Sequence, residues 1–168
     1  SKGVDESSEI FNTNAVEQAI FFQNSGCKKI HIVDLDAAFG RVDINLQTIK
    51  KIRQSISIPI QLGGGIRSEL DIKKYFDLGI NNLILGSMAV SHPDIVKQIS
   101  KQYKKRIYIS LDVKGNSIMI KGWKKESNLG IKDILEFYKT SNIKGYIVTD
   151  IENDLSLIHI LTLPTSFL

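Results

Sequence analysis

Gly63-Gly64-Gly65-Ile66-Arg67-Ser68 follows the apolar run Ile58-Pro59-Ile60-Gln61-Leu62, and together they offer the chemistry of an anion site. Glycines let backbone N–H groups come close to an anion, and Ser68 with Asp71 marks a helix start whose dipole favours negative charge. Further along, Leu83-Ile84-Leu85-Gly86-Ser87 repeats the order of strand, glycine and small hydroxyl residue. A lone glycine triplet reads equally as a turn. Two strand ends offering donors to one anion read as half of a phosphate site.

A second chemistry belongs to carboxylates at strand ends. Asp34 and Asp36 close one expected strand, Asp112 another, and Thr149 with Asp150 a third. Strand alternation places Tyr108, Ser110 and Asp112 on one face, with Ile107, Ile109 and Leu111 on the other. Each such aspartate could instead cap a helix or hold a loop; three converging strands favour a shared site. Two carboxylates in different protonation states suffice for proton transfer in both directions.

The remaining reactive residues carry less. His31 lies mid-strand and reads as a core histidine, and His92 precedes Pro93 at a helix start and reads as a cap. Cys27 stands alone between Gly26 and Lys28 and reads as a packed thiol. With one cysteine no intrachain disulfide forms, which fits a reducing compartment such as the cytoplasm. No spacing of His, Cys and carboxylates resembles a metal site. Trp123, in Lys121-Gly122-Trp123-Lys124, could stack on a heteroaromatic ring or anchor its loop.

The elements that must position these groups alternate. A helix opens at Asn14 and ends near Gly26, and strand 29–35 and helix 45–55 follow. Next come strand 58–62, helix 68–78 stopped by Gly79, strand 82–86 and helix 93–103. Strand 106–113, a ribbon around 117–120, helix 131–139 and strand 146–151 complete the series. Short Ile- and Val-rich strands separated by helices predict a parallel sheet buried on both faces. That is α/β architecture, either doubly wound or a (β/α)8 barrel, and the absence of Gly-x-Gly-x-x-Gly lowers the dinucleotide-binding option. Five main strands make any barrel incomplete.

Composition sets the class. The 168 residues are 42% hydrophobic and 24% charged, a globular profile. No run reaches the length of a membrane span and no signal peptide is expected. Most of the 22 basic residues are lysines, many of them on outer helix faces, and a net charge of +4 without arginine clusters argues against nucleic-acid binding.

Six segments occur in order: residues 31–38 (His-Ile-Val-Asp-Leu-Asp-Ala-Ala), 61–68 (Gln-Leu-Gly-Gly-Gly-Ile-Arg-Ser), 85–90 (Leu-Gly-Ser-Met-Ala-Val), 110–115 (Ser-Leu-Asp-Val-Lys-Gly), Lys121-Gly122-Trp123 and Val148-Thr149-Asp150-Ile151. As a set, over roughly residues 14 to 154, the chain resembles the histidine-biosynthesis isomerases that act on phosphoribosylformimino-aminoimidazole carboxamide ribotide. The resemblance implies a (β/α)8 barrel, monomeric when complete. It also implies an Amadori rearrangement of an aminoaldose to an aminoketose with no metal or organic cofactor, on a bis-phosphorylated small molecule. Asp112 would protonate the ribose ring oxygen and Thr149 would assist by hydrogen bonding. Asp34, Gly64, Gly65, Arg67, Gly86 and Ser87 would surround substrate and phosphate, with Lys121 and Trp123 over the ligand. An ordinary aspartic acid, with a pKa of ~3.9, donates poorly at neutral pH, so such an acid needs burial or a nearby anion.

Departures accompany the resemblance. No partner aspartate of a first strand is matched, and the stretch after Asp154 fits no family element. The expectation is a partial barrel over 1–154 lacking the first and last two strands, with 155–168 a tail from a frame error. Unpaired strand edges would promote self-association. The related cyclase subunit that makes imidazole glycerol phosphate, or a non-catalytic phosphate-binding partial barrel, are the alternatives. Arg67-Ser68 and Gly122-Trp123 favour the isomerase.

Overall fold

A computed structural model describes residues 14–115, 117–120, 125–151 and 163–164. Helix α1 (Ala15–Asn24) is capped by Asn14, whose side chain accepts from the Glu17 amide at 3.2 Å. It leads into β1 (Ile30–Val33), a short helix α2 (Leu35–Ala38) and α3 (Leu46–Ser55). There follow β2 (Ile60–Gly63), α4 (Glu69–Asp77), β3 (Asn82–Leu85), a short α5 (Ser87–Ser91) and α6 (Pro93–Gln102). Strand β4 (Ile107–Lys114) opens an antiparallel ribbon, β5 (Ser117–Ile120) and β6 (Lys125–Gly130). Helix α7 (Ile131–Tyr138), β7 (Gly145–Asp150) and β8 (Leu163–Pro164) complete the order.

Five strands run parallel in the spatial order β1-β2-β3-β4-β7. Strand β4 is long enough to serve two partners along one edge. Its first residues pair with β3, and Asp112, Val113 and Lys114 pair with β5. Strand β8 pairs antiparallel with β7, a contact with no counterpart in the sequence expectation.

Five parallel strands in chain order, with helices between successive members, are the arrangement of an incomplete (β/α)8 barrel.

The two faces differ as alternation requires. Ile107, Ile109 and Leu111 are fully buried against the helices. They join Leu62, Leu83, Leu85, Ile72 and Phe76 in one core, where truncating one such side chain to Ala costs about 2–5 kcal/mol. On the inner face a register row runs Val33, Gly63, Ile84, Tyr108, Gly145. Ile84 and Tyr108 are buried, whereas Val33 is 49% exposed because β1 is an edge among the described residues. His31, two positions earlier, is likewise exposed rather than a core residue. Cys27 also stands exposed instead of packed.

Candidate active site

The C-terminal ends of the strands gather the expected groups. Asp112 of β4 and Thr149 of β7 are direct register partners on adjacent parallel strands. Both are half-buried. Residues paired across a ladder share a face, so the two side chains stand side by side. Ser110 lies one inner layer below Asp112, opposite Ile147.

The loop after β2 is built around its glycines. Gly64 and Gly65 have φ of +98° and +67°, which side chains rarely adopt. A Cβ on Gly64 would stand 2.3 Å from the Asp34 carbonyl oxygen, and one on Gly65 would stand 2.4 Å from Ala37. These glycines are therefore required by the close passage of the loop after β1, whatever anion they also approach. Arg67 reinforces that passage, its Nη2 donating to the Ala38 carbonyl at 2.8 Å. Four further N–H groups of the guanidinium are available in principle for a ligand.

Helix α4 starts on a full capping box. The Ser68 hydroxyl accepts from the Asp71 amide at 3.1 Å, while Asp71 Oδ2 accepts from the Ser68 amide at 3.1 Å and its hydroxyl at 2.8 Å. Burial works to raise the Asp71 pKa. Hydrogen bonds from Ser68, Arg67 and Lys74 outweigh it and hold the carboxyl below the usual range. Lys74 also reaches Asp43 at 2.6 Å, tying α4 to the loop after β1.

The loop after β3 is different. Gly86 precedes α5 with a negative φ, and a Cβ there would meet only the Ser110 carbonyl oxygen, at 3.9 Å. Nothing among the described neighbours demands glycine. Ser87 is the first residue of α5, where a helix had been expected only from Pro93.

Asp34 is placed as a helix cap. It is 3% exposed, and its Oδ1 accepts from the Ala37 amide at 3.0 Å and from Asn45 Nδ2 at 2.8 Å. The expected strand through Leu35 therefore ends at Val33, because capping turns the chain into α2. Asn45 was legible only as the start of α3, yet its side chain makes no cap bond to that helix. It bridges Asp34 and Asp36 instead, the latter at 2.9 Å. An N-cap bond of this kind is worth about 1 kcal/mol, so its absence marks a competing interaction. His92, expected as a cap, makes no side-chain cap bond either; its Nδ1 meets the Ser91 hydroxyl at 2.8 Å. Lys121 and Trp123 lie outside the described residues, as do 1–13 and most of 155–168.

Among the described residues no helix is long and apolar enough to cross a membrane. Comparison with known proteins adds what geometry cannot. The chain is 43% identical over 144 residues to a 1-(5-phosphoribosyl)-5-((5-phosphoribosylamino)methylideneamino) imidazole-4-carboxamide isomerase of Prochlorococcus marinus strain NATL2A, covering 86% of the chain and 56% of that relative. It is 42% identical over 154 residues to the isomerase of that name from Nautilia profundicola, covering 92% and 65%. The Halothermothrix orenii isomerase of that name is 36% identical over 154 residues, covering 91% and 65%. The chain thus spans between 56% and 65% of the length of these relatives. A family model described as "Histidine biosynthesis protein" matches residues 1–156, and the chain belongs to that family.

Proposed function

We propose that this chain carries the acid half of a sugar-phosphate isomerase that converts an aminoaldose to an aminoketose by aspartate acid–base catalysis. The observation that carries the reading is the register pairing of Asp112 with Thr149 on the inner face, beside two glycine-bearing strand ends. Relatives at about 40% identity named as isomerases support it.

In this reading Asp112 delivers a proton to the ribose ring oxygen, the ring opens, and Thr149 steadies the carboxyl through a hydrogen bond. A base on the opposite side of the sugar then removes the C2 proton of the ring-opened iminium. The resulting enolamine becomes the aminoketose by taking a proton at C1 and losing the C2 hydroxyl proton. Gly64, Gly65, Gly86, Ser87 and Arg67 border one phosphate of a bis-phosphorylated substrate, and Asp34 closes that side of the mouth. Lys121 and Trp123 join the proposal through the family resemblance alone.

The decisive experiment is Asp112→Asn in the chain completed to the length of its relatives. Loss of a general acid removes about 10²–10⁴ of turnover. Substrate affinity, read by calorimetry, stays within about threefold, because shape and hydrogen-bonding capacity are largely kept. Turnover near the wild-type rate removes Asp112 from the mechanism.

A further inference from the structure

Ser110 carries a hydroxyl that the fold does not use. Its backbone pairs with β7 opposite Ile147, and strand alternation turns its side chain to the inner face, away from the helices that bury Ile109 and Leu111. The residue is half-buried, and its hydroxyl makes no hydrogen bond to any described residue. Serine stands here in the middle of β4, where β-branched and aromatic side chains are favoured. The layer below keeps to the usual filling of a barrel interior, with Ile84 and Tyr108 both buried in it. At the level of Ser110 the neighbouring strand has Gly86, directly after the paired residues Leu85 and Ile109, and no side chain covers the hydroxyl from that strand.

Its place in the ladder says what the hydroxyl would meet. Two residues further up the same face, roughly 6.8 Å along the strand, is Asp112, the proposed acid. To the side is Gly86, at the proposed phosphate end, where a Cβ would lie 3.9 Å from the Ser110 carbonyl oxygen. A sugar phosphate with its phosphate at Gly86 and its ring oxygen at Asp112 passes over Ser110. A hydroxyl both donates and accepts, so it can pair with a sugar oxygen in the ring-closed and the ring-opened form alike. We propose that Ser110 is a substrate-binding residue, its hydroxyl hydrogen-bonding the sugar between the phosphate at the β3 end and the ring oxygen at Asp112. The inference rests on the proposed function, whose phosphate end and acid fix the two ends of the ligand.

The test begins with calorimetric titration of this chain with ribose 5-phosphate and, separately, with inorganic phosphate. Wild type binds ribose 5-phosphate about tenfold or more tighter than phosphate. Ser110→Ala deletes one hydroxyl and leaves the melting temperature in place. Loss of one hydrogen bond weakens ribose 5-phosphate about three- to tenfold and keeps phosphate within about twofold. In the chain completed to the length of its relatives, the same variant raises KM by a similar factor and spares kcat, because the contact is made before and after ring opening. Three results overturn the inference: unchanged affinity for ribose 5-phosphate, equal weakening of both ligands, or a fall in kcat at constant KM. A wild type that binds the two ligands equally also overturns it and leaves the phosphate site standing. A wild type that binds neither removes the phosphate site, and the inference with it.

Discussion

The loops after β2 and β3 look alike in sequence and differ in what makes them glycine. At Gly64 and Gly65 the backbone of the neighbouring loop occupies the space a side chain would need, and φ is positive at both. At Gly86 the space is open to 3.9 Å and φ is negative. The first loop is glycine because the fold requires it. The second meets no such neighbour among the described residues, and in the proposed function its open space admits the phosphate. Sequence similarity between two motifs therefore does not imply that the same force shaped both.

The largest effect that could break this contrast is at the first loop. Gly65→Ala forces a methyl to within 2.4 Å of Ala37 and demands a left-handed conformation of alanine. Overpacking costs about 1–3 kcal/mol and the backbone conformation about 1–2 more. The variant should lose about 2–5 kcal/mol in urea unfolding, enough to unfold a marginal domain. Gly64→Ala, meeting the Asp34 carbonyl, belongs in the same range. If either variant melts with the wild type, the two loops are not built differently.

A smaller effect sharpens what the first loop depends on. Ser68→Ala removes one half of the α4 capping box and should cost about 1 kcal/mol near neutral pH. Part of that cost is tied to ionised Asp71, whose folded pKa is depressed. A carboxyl of this kind contributes fully above its unfolded value of ~3.9, and the contribution falls away as pH drops through the lower folded value. Stability curves of wild type and Ser68→Ala should therefore converge, though not merge, in acid, because the hydroxyl's bond from the Asp71 amide does not titrate. Parallel curves from pH 7 to 3 would sink the assignment of the shift to this box.

How much of this was legible beforehand depends on whether a residue's role is local. The capping box and Gly79 at the end of α4 could be read directly, because cap, period and stop lie within one helix. Asp112 could be placed on one face with Ser110 and Tyr108 because strand alternation is strict. Thr149 was legible only as a strand-end residue, and its pairing with Asp112 came from the register. Helices α2 and α5, of four and five residues, are too short to show a period and were missed. Asp34 and Asn45 could not be separated into cap and bridge, since their bonds depend on how the chain between them turns. The glycine triplet was read as an anion loop, while its steric cause lay in a neighbouring segment some thirty residues earlier in the chain.

The smallest change in stability is the most informative about function. Gly86→Ala should shift unfolding less than either first-loop variant, since the new methyl meets nothing closer than 3.9 Å. If that space is kept for a phosphate beside Ser87, the same methyl stands where the anion must approach the backbone. Affinity for ribose 5-phosphate and for inorganic phosphate should then fall together by about tenfold, in a chain that melts as before. The pairing of results carries the argument. A stable variant with unchanged affinity would place the phosphate elsewhere, and a destabilised one would show a packing demand at Gly86 like that at Gly65. Only stability retained and both affinities lost separates a glycine kept for a ligand from a glycine kept for the fold.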